Sequence, residues 1–383
     1  MSIFFAHSFF FVWNYPSGLV SYSMKFLFIE PFFGGSHRDF TESLIAHSCH
    51  QIDLYTLPAR FWKWRMRGAA LYFSEKITSP ADYDGLITTN LMSLSDLKML
   101  WGAACPPVLV YFHENQITYP LAAGEHRDFQ FGFTDITTAL AAKKILFNSC
   151  THMNHFFEAL PGFIKTMPEY KPMWVVKAIK EKAEVLYPGC RFYKKSNTTT
   201  SQSSLPPLII WNHRWEFDKN PADFFDALAE VERLGFNFRI ALLGENFQKV
   251  PKDFIVAKAH FGNKIIQYGY IKSKKEYFNL LSQGQIIIST SKNENFGISV
   301  IEAIRYGCIP LLPARLAYPE VLPKQFHKDF LYRNQRDLIE KLTFVIKNIR
   351  ELQDKQIKIS EAMGRFAWEN MIKKYDHALD KLP

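Results

Sequence analysis

The chain has 383 residues, 48% of them hydrophobic, which is enough for two packed domains. Lys and Arg outnumber Asp and Glu by 46 to 37, and the net charge of +9 fits a phosphorylated or nucleic-acid partner without requiring one. The five cysteines (Cys49, Cys105, Cys150, Cys190, Cys308) include no CxxC pair, which argues against structural zinc or a disulfide framework and for a reduced, intracellular protein.

Residues 1–23 are rich in Phe and carry no Lys or Arg, so they lack the basic start of a signal peptide. Their apolar run, Ile3 to Trp13, is too short to span a bilayer. Met24 is the expected physical start, with the preceding residues a disordered extension or a misassigned start. The first strand is expected at Lys25 to Glu30, followed by Gly34-Gly35-Ser36-His37-Arg38 and a helix bearing Phe40, Leu44 and Ile45. A glycine pair at this turn permits close approach of a ligand. The third glycine of G-x-G-x-x-G is missing, so a dinucleotide site is poorly supported.

A second strand is expected at Gln51 to Leu57. Next comes Arg60-Phe-Trp62-Lys63-Trp64-Arg65-Met-Arg67, four cations interleaved with three aromatics. Cations bind phosphates and aromatic faces stack on bases, so this is the best nucleic-acid candidate, the alternative being a surface loop. Asp82-Tyr-Asp84 resembles a metal-holding Asp-x-Asp, but its position just before the strand Gly85 to Thr88 reads as a turn, and no metal is expected there. His152 and His155 are read as helix residues. The apolar strand Pro107 to Phe112 runs into His113-Glu-Asn-Gln116. Strand ends of this kind line the clefts of doubly wound sheets, which places His113 at a cleft.

The first domain spans 24–190 in this reading, with Val185 to Tyr187 at its end. The polar stretch within 191–207 is a linker. The second domain, 208–383, opens with Leu208 to Trp211. Arg214 and Lys219 follow in a strand-end loop, where a cation pair clamps a diphosphate or simply pairs with Glu216 or Asp218. Further strands are expected at Phe238 to Leu243 and Ile265 to Gly269. The segment Gln285 to Pro310 then reads as strand, polar loop, Phe296-Gly297, helix and strand. Glu294 lies in its loop and Glu302 inside its helix, with the free amides of the first helical turn between them near Asn295, Phe296, Gly297 and Ile298. Ile339 to Tyr375 reads as a charged helical tail. The strand–helix alternation in both halves argues an α/β protein of two doubly wound domains.

The segment Glu294 to Glu302 resembles the E-x7-E signature of retaining glycosyltransferases of the GT-B fold, two Rossmann-like domains facing each other across a cleft. The strings EPFFGGSHRDF, YFHENQITYP, NHRWEFDKNP and YPEVLP are similar to the tRNA-queuosine α-mannosyltransferases, over nearly the whole chain from Met24. That resemblance implies GDP-mannose as donor substrate, with no other cofactor, and queuosine-containing tRNA as acceptor, in the cytoplasm. It implies catalytic roles for His113, Arg214, Lys219 and Glu294. Donor contacts are implied for Gly34, Gly35, Asn295, Phe296, Gly297, Ile298 and Glu302, with Glu302 on the ribose. It places His37 and Arg38 in the cleft near the acceptor, beside the RNA candidates Arg60, Trp62, Lys63, Trp64, Arg65 and Arg67, and has the tail cross back onto the first domain. Three alternatives remain open: a glycosyltransferase for a lipid or polysaccharide, a catalytically silent RNA-binding protein, and a dinucleotide oxidoreductase. No amphipathic basic helix favours a stable membrane association.

Overall fold

The computed structural model describes residues 23–122, 124–193, 205–245 and 250–383. The expected N-terminal extension up to residue 22, residues 194–204 of the linker, and Asn246 lie outside the described residues.

Two six-stranded parallel sheets form the two halves of the molecule. The first contains β1 (Lys25–Phe33), β2 (Gln51–Pro58), β3 (Gly85–Thr89), β4 (Val108–Phe112), β5 (Lys144–Phe147) and β6 (Ala183–Val185), in the order β2-β1-β3-β4-β5-β6. The second contains β7 (Leu208–Asn212), β8 (Arg239–Leu243), β9 (Ile265–Tyr268), β10 (Ile286–Ile288), β11 (Ile309–Pro313) and β12 (Leu331–Tyr332), in the order β12-β11-β10-β7-β8-β9. Central strands such as β4 and β7 are buried at every residue, as parallel sheets covered on both faces require. The strand order reverses between β1 and β3 in one sheet and between β7 and β10 in the other. Loops that leave the carboxyl ends of strands at such a reversal diverge and open a crevice. The loops carrying Gly34, Arg214 and Glu294 all leave strands at these two points.

Two elements differ from the sequence expectation. β1 runs to Phe33 instead of ending at Glu30, and its register with β2 shifts between Glu30 and Phe33, where Pro31 has no N–H to give the ladder. The segment from Trp62 is not a loop but the first turns of a helix, Trp62–Lys76, which buries Met66, Ala69, Ala70 and Phe73. The C-terminal tail is helical as expected, built of three helices, Gln335–Lys347, Gln353–Ala362 and Trp368–Asp380, with a 3-10 turn at Met363–Phe366 before the last.

That last helix packs on the first domain. Trp368, Met371, Tyr375 and Leu379 are buried in one cluster with Phe26, Phe28, Phe40 and Tyr111. The crossing is fastened where the Cys190 amide donates to Phe366 O at 2.6 Å and the Trp368 amide donates to Cys190 O at 3.2 Å. Glu320 makes a second link between the halves, its carboxylate accepting from the Cys150 amide at 2.9 Å and from the Tyr187 hydroxyl at 3.1 Å. Cys150 opens the helix Cys150–Lys165, so the carboxylate sits at the positive end of a helix dipole. No disulfide joins any of the cysteines among the described residues. Among the described residues no helix is long and apolar enough to cross a membrane.

Trp368 stands at the start of the final helix but belongs to the core of the first domain. Trp368→Ala should cost about 3–5 kcal/mol, the usual range for removing a buried indole. Amide exchange should quicken in β1 and β4 more than in β7 and β10. Equal protection of β1 and β4 in the variant and the wild type would contradict this packing.

Candidate active site

The first domain brings a set of charged side chains to its strand ends. Glu30 is fully buried on β1 and accepts from the Phe32 amide at 2.9 Å and the Thr89 hydroxyl at 3.2 Å. His37 lies in the first turns of the helix Gly35–His47, buried, with Nδ1 3.3 Å from Glu30 and Nε2 3.9 Å from Glu114. Burial by itself would keep this imidazole neutral. The carboxylate of Glu30, assisted by Glu114, overrides that penalty and pushes the pKa up to about 10, so His37 is an imidazolium at neutral pH. His113 has its ring 4.1 Å from that of His37 and is flanked by Tyr111 and Phe40. Burial, and then the His37 charge, hold His113 well below its ordinary pKa, so it stays neutral. Its Nε2 is buried with no hydrogen-bond partner among the described residues.

The loop holding His113 is fixed from beneath. Buried His152 bonds Asn148 Oδ1 at 2.8 Å through Nδ1 and Asn115 Nδ2 at 2.9 Å through Nε2. Asp135 accepts from the Gln116 amide at 2.6 Å and from Asn90 at 3.1 Å, and burial pushes its pKa up to about 7. The reading of His152 as a helix residue agrees with this supporting position.

In the second domain, Lys219 is 7% exposed, and its ammonium donates to Asn293 O at 2.6 Å. It lies 3.3 Å from Asp218 and 3.5 Å from Glu294. Glu294 is also 4.0 Å from His213, whose pKa falls to about 3 because of burial first and the Lys219 charge second. Arg214 is half-exposed and pairs with Glu216 at 3.2 Å. Both ion pairs considered from the sequence are therefore present, and Lys219 additionally reaches the glutamate of the motif.

Gly297 has φ +91°, a left-handed conformation that a side chain resists, and it caps the helix Ile298–Arg305. The Phe296 side chain is buried against Tyr187 and Phe366, so it presents only its backbone to a ligand. Ile298 likewise packs partly against the core. Glu302 is buried and accepts from the Tyr277 hydroxyl at 2.6 Å, and burial raises its pKa to about 7. Asn212 donates to the same Tyr277 oxygen at 2.8 Å.

The two halves meet at the motif. Asn295 Nδ2 donates to the backbone oxygen of His113 at 3.1 Å, across 182 positions of sequence. Lys274 and Asp39 form another contact between the halves at 2.7 Å. Glu30, Glu114 and Tyr277 belong to this constellation, but sequence reasoning did not single them out. Their one signal was a polar residue at or just past the end of an apolar strand, for Glu30 and Glu114. Tyr277 gave none.

Several assigned residues sit differently from the expectation. His37 and Arg38 were expected in a turn before the helix, but both lie within it; His37 is buried between two carboxylates and Arg38 is exposed. A Cβ on Gly34 would collide with the Ala59 Cβ, so this glycine accommodates the neighbouring chain; Gly35 begins the helix in the open. Trp62 is half-buried, 5.1 Å from Phe131, and Arg65 is half-buried with its guanidinium donating to Pro58 O. Neither is free for RNA as drawn from the sequence. Arg60, Lys63, Trp64 and Arg67 are exposed, Trp64 by 76%. Asp84 accepts from the Lys25 amide at 2.8 Å, at the amino ends of the strands and away from the cleft.

Two parallel-sheet domains with a glutamate-and-lysine site at their facing strand ends define a GT-B glycosyltransferase. Residues 198–363 match the family model for glycosyl transferases group 1, and residues 25–190 match that for the N-terminal part of tRNA-queuosine alpha-mannosyltransferase. The chain is 33% identical over 362 residues to the tRNA-queuosine alpha-mannosyltransferase of Drosophila melanogaster, covering 91% of this chain and 94% of that one. It belongs to the tRNA-queuosine alpha-mannosyltransferase family. Among solved structures it is similar in fold to HepE of Anabaena in complex with UDP, with TM-score 0.69, 16% identity, and coverage of 94% of this chain and 100% of that one. It is also similar to sucrose-phosphate synthase of Thermosynechococcus elongatus, with TM-score 0.72, 15% identity, and coverage of 94% and 99%.

The His37 proton has a measurable consequence. The folded pKa of about 10 lies above the ordinary value of 6.5, so the native state keeps a proton that the unfolded state releases. The resulting stability is complete below about pH 6.5 and is lost as pH rises towards 10. Urea melts of wild type and His37→Gln across that window should therefore converge as pH rises. A constant difference between them would show that His37 carries no such charge.

Proposed function

We propose that this chain is a cytoplasmic enzyme that transfers mannose from GDP-mannose to the cyclopentene-diol of queuosine in a tRNA anticodon loop, with retention at the anomeric carbon. The observation that carries the reading is the 33% identity to the Drosophila enzyme, which extends over 91% of the chain and so includes both the donor and the acceptor halves. Lys219 and Arg214 neutralise the diphosphate. Each is paired with a carboxylate before the donor binds, Lys219 with Glu294 and Arg214 with Glu216. A diphosphate that draws Lys219 away from Glu294 frees that carboxylate to accept hydrogen bonds from the sugar. The ribose hydroxyls lie on Glu302, and the amides of Gly297 and Ile298 face the phosphate.

In the transfer, an acceptor hydroxyl attacks the anomeric carbon on the face that the phosphate leaves. The carbon–phosphate-oxygen bond breaks, and the departing phosphate oxygen takes the hydroxyl proton. The products are the mannoside and GDP. His113, neutral and with a free Nε2, orients the sugar and forms no covalent bond. Negative charge grows on the leaving phosphate, so the two cations act more on turnover than on ground-state binding. Lys219→Ala or Arg214→Ala should lower kcat by on the order of 10²-fold or more. Near-normal turnover in either variant would remove that residue from the mechanism.

The RNA surface is the exposed part of the helix that starts at Trp62. Lys63 and Arg67 are four apart and share a face, and Trp64 offers a ring to an unpaired base. Affinity for tRNA should fall with salt by roughly 0.7–0.9 log units per log unit of salt for each phosphate neutralised. The variant Lys63→Ala/Trp64→Ala/Arg67→Ala should raise KM for tRNA and leave the KM for GDP-mannose nearly unchanged. An unchanged KM for tRNA rejects this surface. Mannose transfer that is equally fast to tRNA lacking queuosine rejects the acceptor.

A further inference from the structure

A second cluster of donor atoms lies away from the cleft, at the amino end of β2. Cys49 and His50 occupy the turn between the helix Gly35–His47 and β2, which begins at Gln51. Against this turn lies the last helix, Trp368–Asp380, which carries Asp376 and Asp380 four residues apart and so on one face. Donor atoms of Cys49, His50 and Asp376 all lie within 4.8 Å of one another. Asp380 Oδ1 is 3.4 Å from His50 Nε2.

The fold leaves one side chain of this cluster unsatisfied. The His50 side chain is 1% exposed and lies against Phe26, and neither of its ring nitrogens has a hydrogen-bond partner among the described residues. A buried polar group left in that state costs about 1–3 kcal/mol. The Cys49 thiol, for its part, sits beside two acids. A divalent cation gives the His50 ring the partner that the fold does not supply.

We propose that Cys49, His50, Asp376 and Asp380 form a zinc site that clips the final helix to the first domain. A thiolate with an imidazole favours zinc over magnesium or calcium, and two carboxylate oxygens complete a tetrahedron. With Zn–S of about 2.3 Å and Zn–N of about 2.0 Å, tetrahedral donors stand roughly 3.5 Å apart; those of Cys49, His50 and Asp376 lie within 4.8 Å of one another, and Asp380 stands 3.4 Å from His50. Asp376 is already oriented by the Ser48 hydroxyl at 2.6 Å and the Cys49 amide at 3.3 Å, the kind of outer support that metal ligands usually have. Metal enters from solvent, because Cys49 is exposed and the Asp380 side chain is 50% exposed. Binding displaces the thiol proton and stabilises the folded chain over the unfolded one. None of the four ligands belongs to the transferase site, so the effect falls on stability.

The test uses the purified full-length chain, stripped with a chelator, incubated with zinc sulfate and desalted. Atomic emission should find about one zinc per chain retained, with a raised melting temperature. Cobalt in place of zinc should give a thiolate-to-metal charge-transfer band. Cys49→Ser should abolish that band, and Asp376→Asn/Asp380→Asn should lose the retained zinc while melting like the stripped wild type. Should either variant fold poorly, Asp380→Asn alone, at a half-exposed position, must still weaken zinc retention. Wild type that retains no zinc, or zinc held equally by Cys49→Ser and the double aspartate variant, overturns the proposal.

Discussion

Lys219 is buried with its ammonium between Asp218 and Glu294, and much of the cleft depends on that compensation. Taking one charge out of water costs several kcal/mol unless a partner comes with it. The second domain meets the cost with two carboxylates around one ammonium. The first domain uses the same arrangement with His37, set between Glu30 and Glu114. Each half of the cleft thus holds a buried cation with two acids.

That balance is useful only if the halves keep their relative position. Four contacts serve this: Asn295 to the His113 carbonyl, Lys274 to Asp39, Glu320 to the amino end of the helix Cys150–Lys165, and the apolar packing of the final helix on β1 and β4. The first is small, a single neutral hydrogen bond worth about 1 kcal/mol. The last buries several aromatic rings and dominates. The second domain is therefore tied to the first through a chain end that is anchored there.

The surface proposed for the acceptor leaves the carboxyl end of β2, the sheet edge that also carries Gly34. The helix starting at Trp62 divides its residues by depth. Met66 and Phe73 go to the core and Trp62 packs on Phe131, while Lys63, Trp64 and Arg67 stay in solvent. Exposed cations on a helix hold less fixed geometry than buried ones, which suits contact with a flexible RNA backbone.

The sequence by itself determined the α/β alternation, the position of most strands, and the Glu294–Glu302 unit of strand, loop and helix. These are local facts: apolar runs of strand length, helical periodicity and a glycine between loop and helix are written in neighbouring residues. Exposure was not local. Trp62 and Trp64 look alike in the sequence, yet one packs and the other is solvated, because a helix turns them about 200° apart. Glu30 and Tyr277 were passed over because their meaning comes from His37 and Glu302, which only the folded chain places beside them. The same holds for Cys49 and His50, which read as unremarkable polar residues until the final helix, 327 positions further along, sets Asp376 against Cys49. Tertiary structure decided which charges are paired, since pairing joins residues distant in the chain and the cost of burying them is fixed by depth.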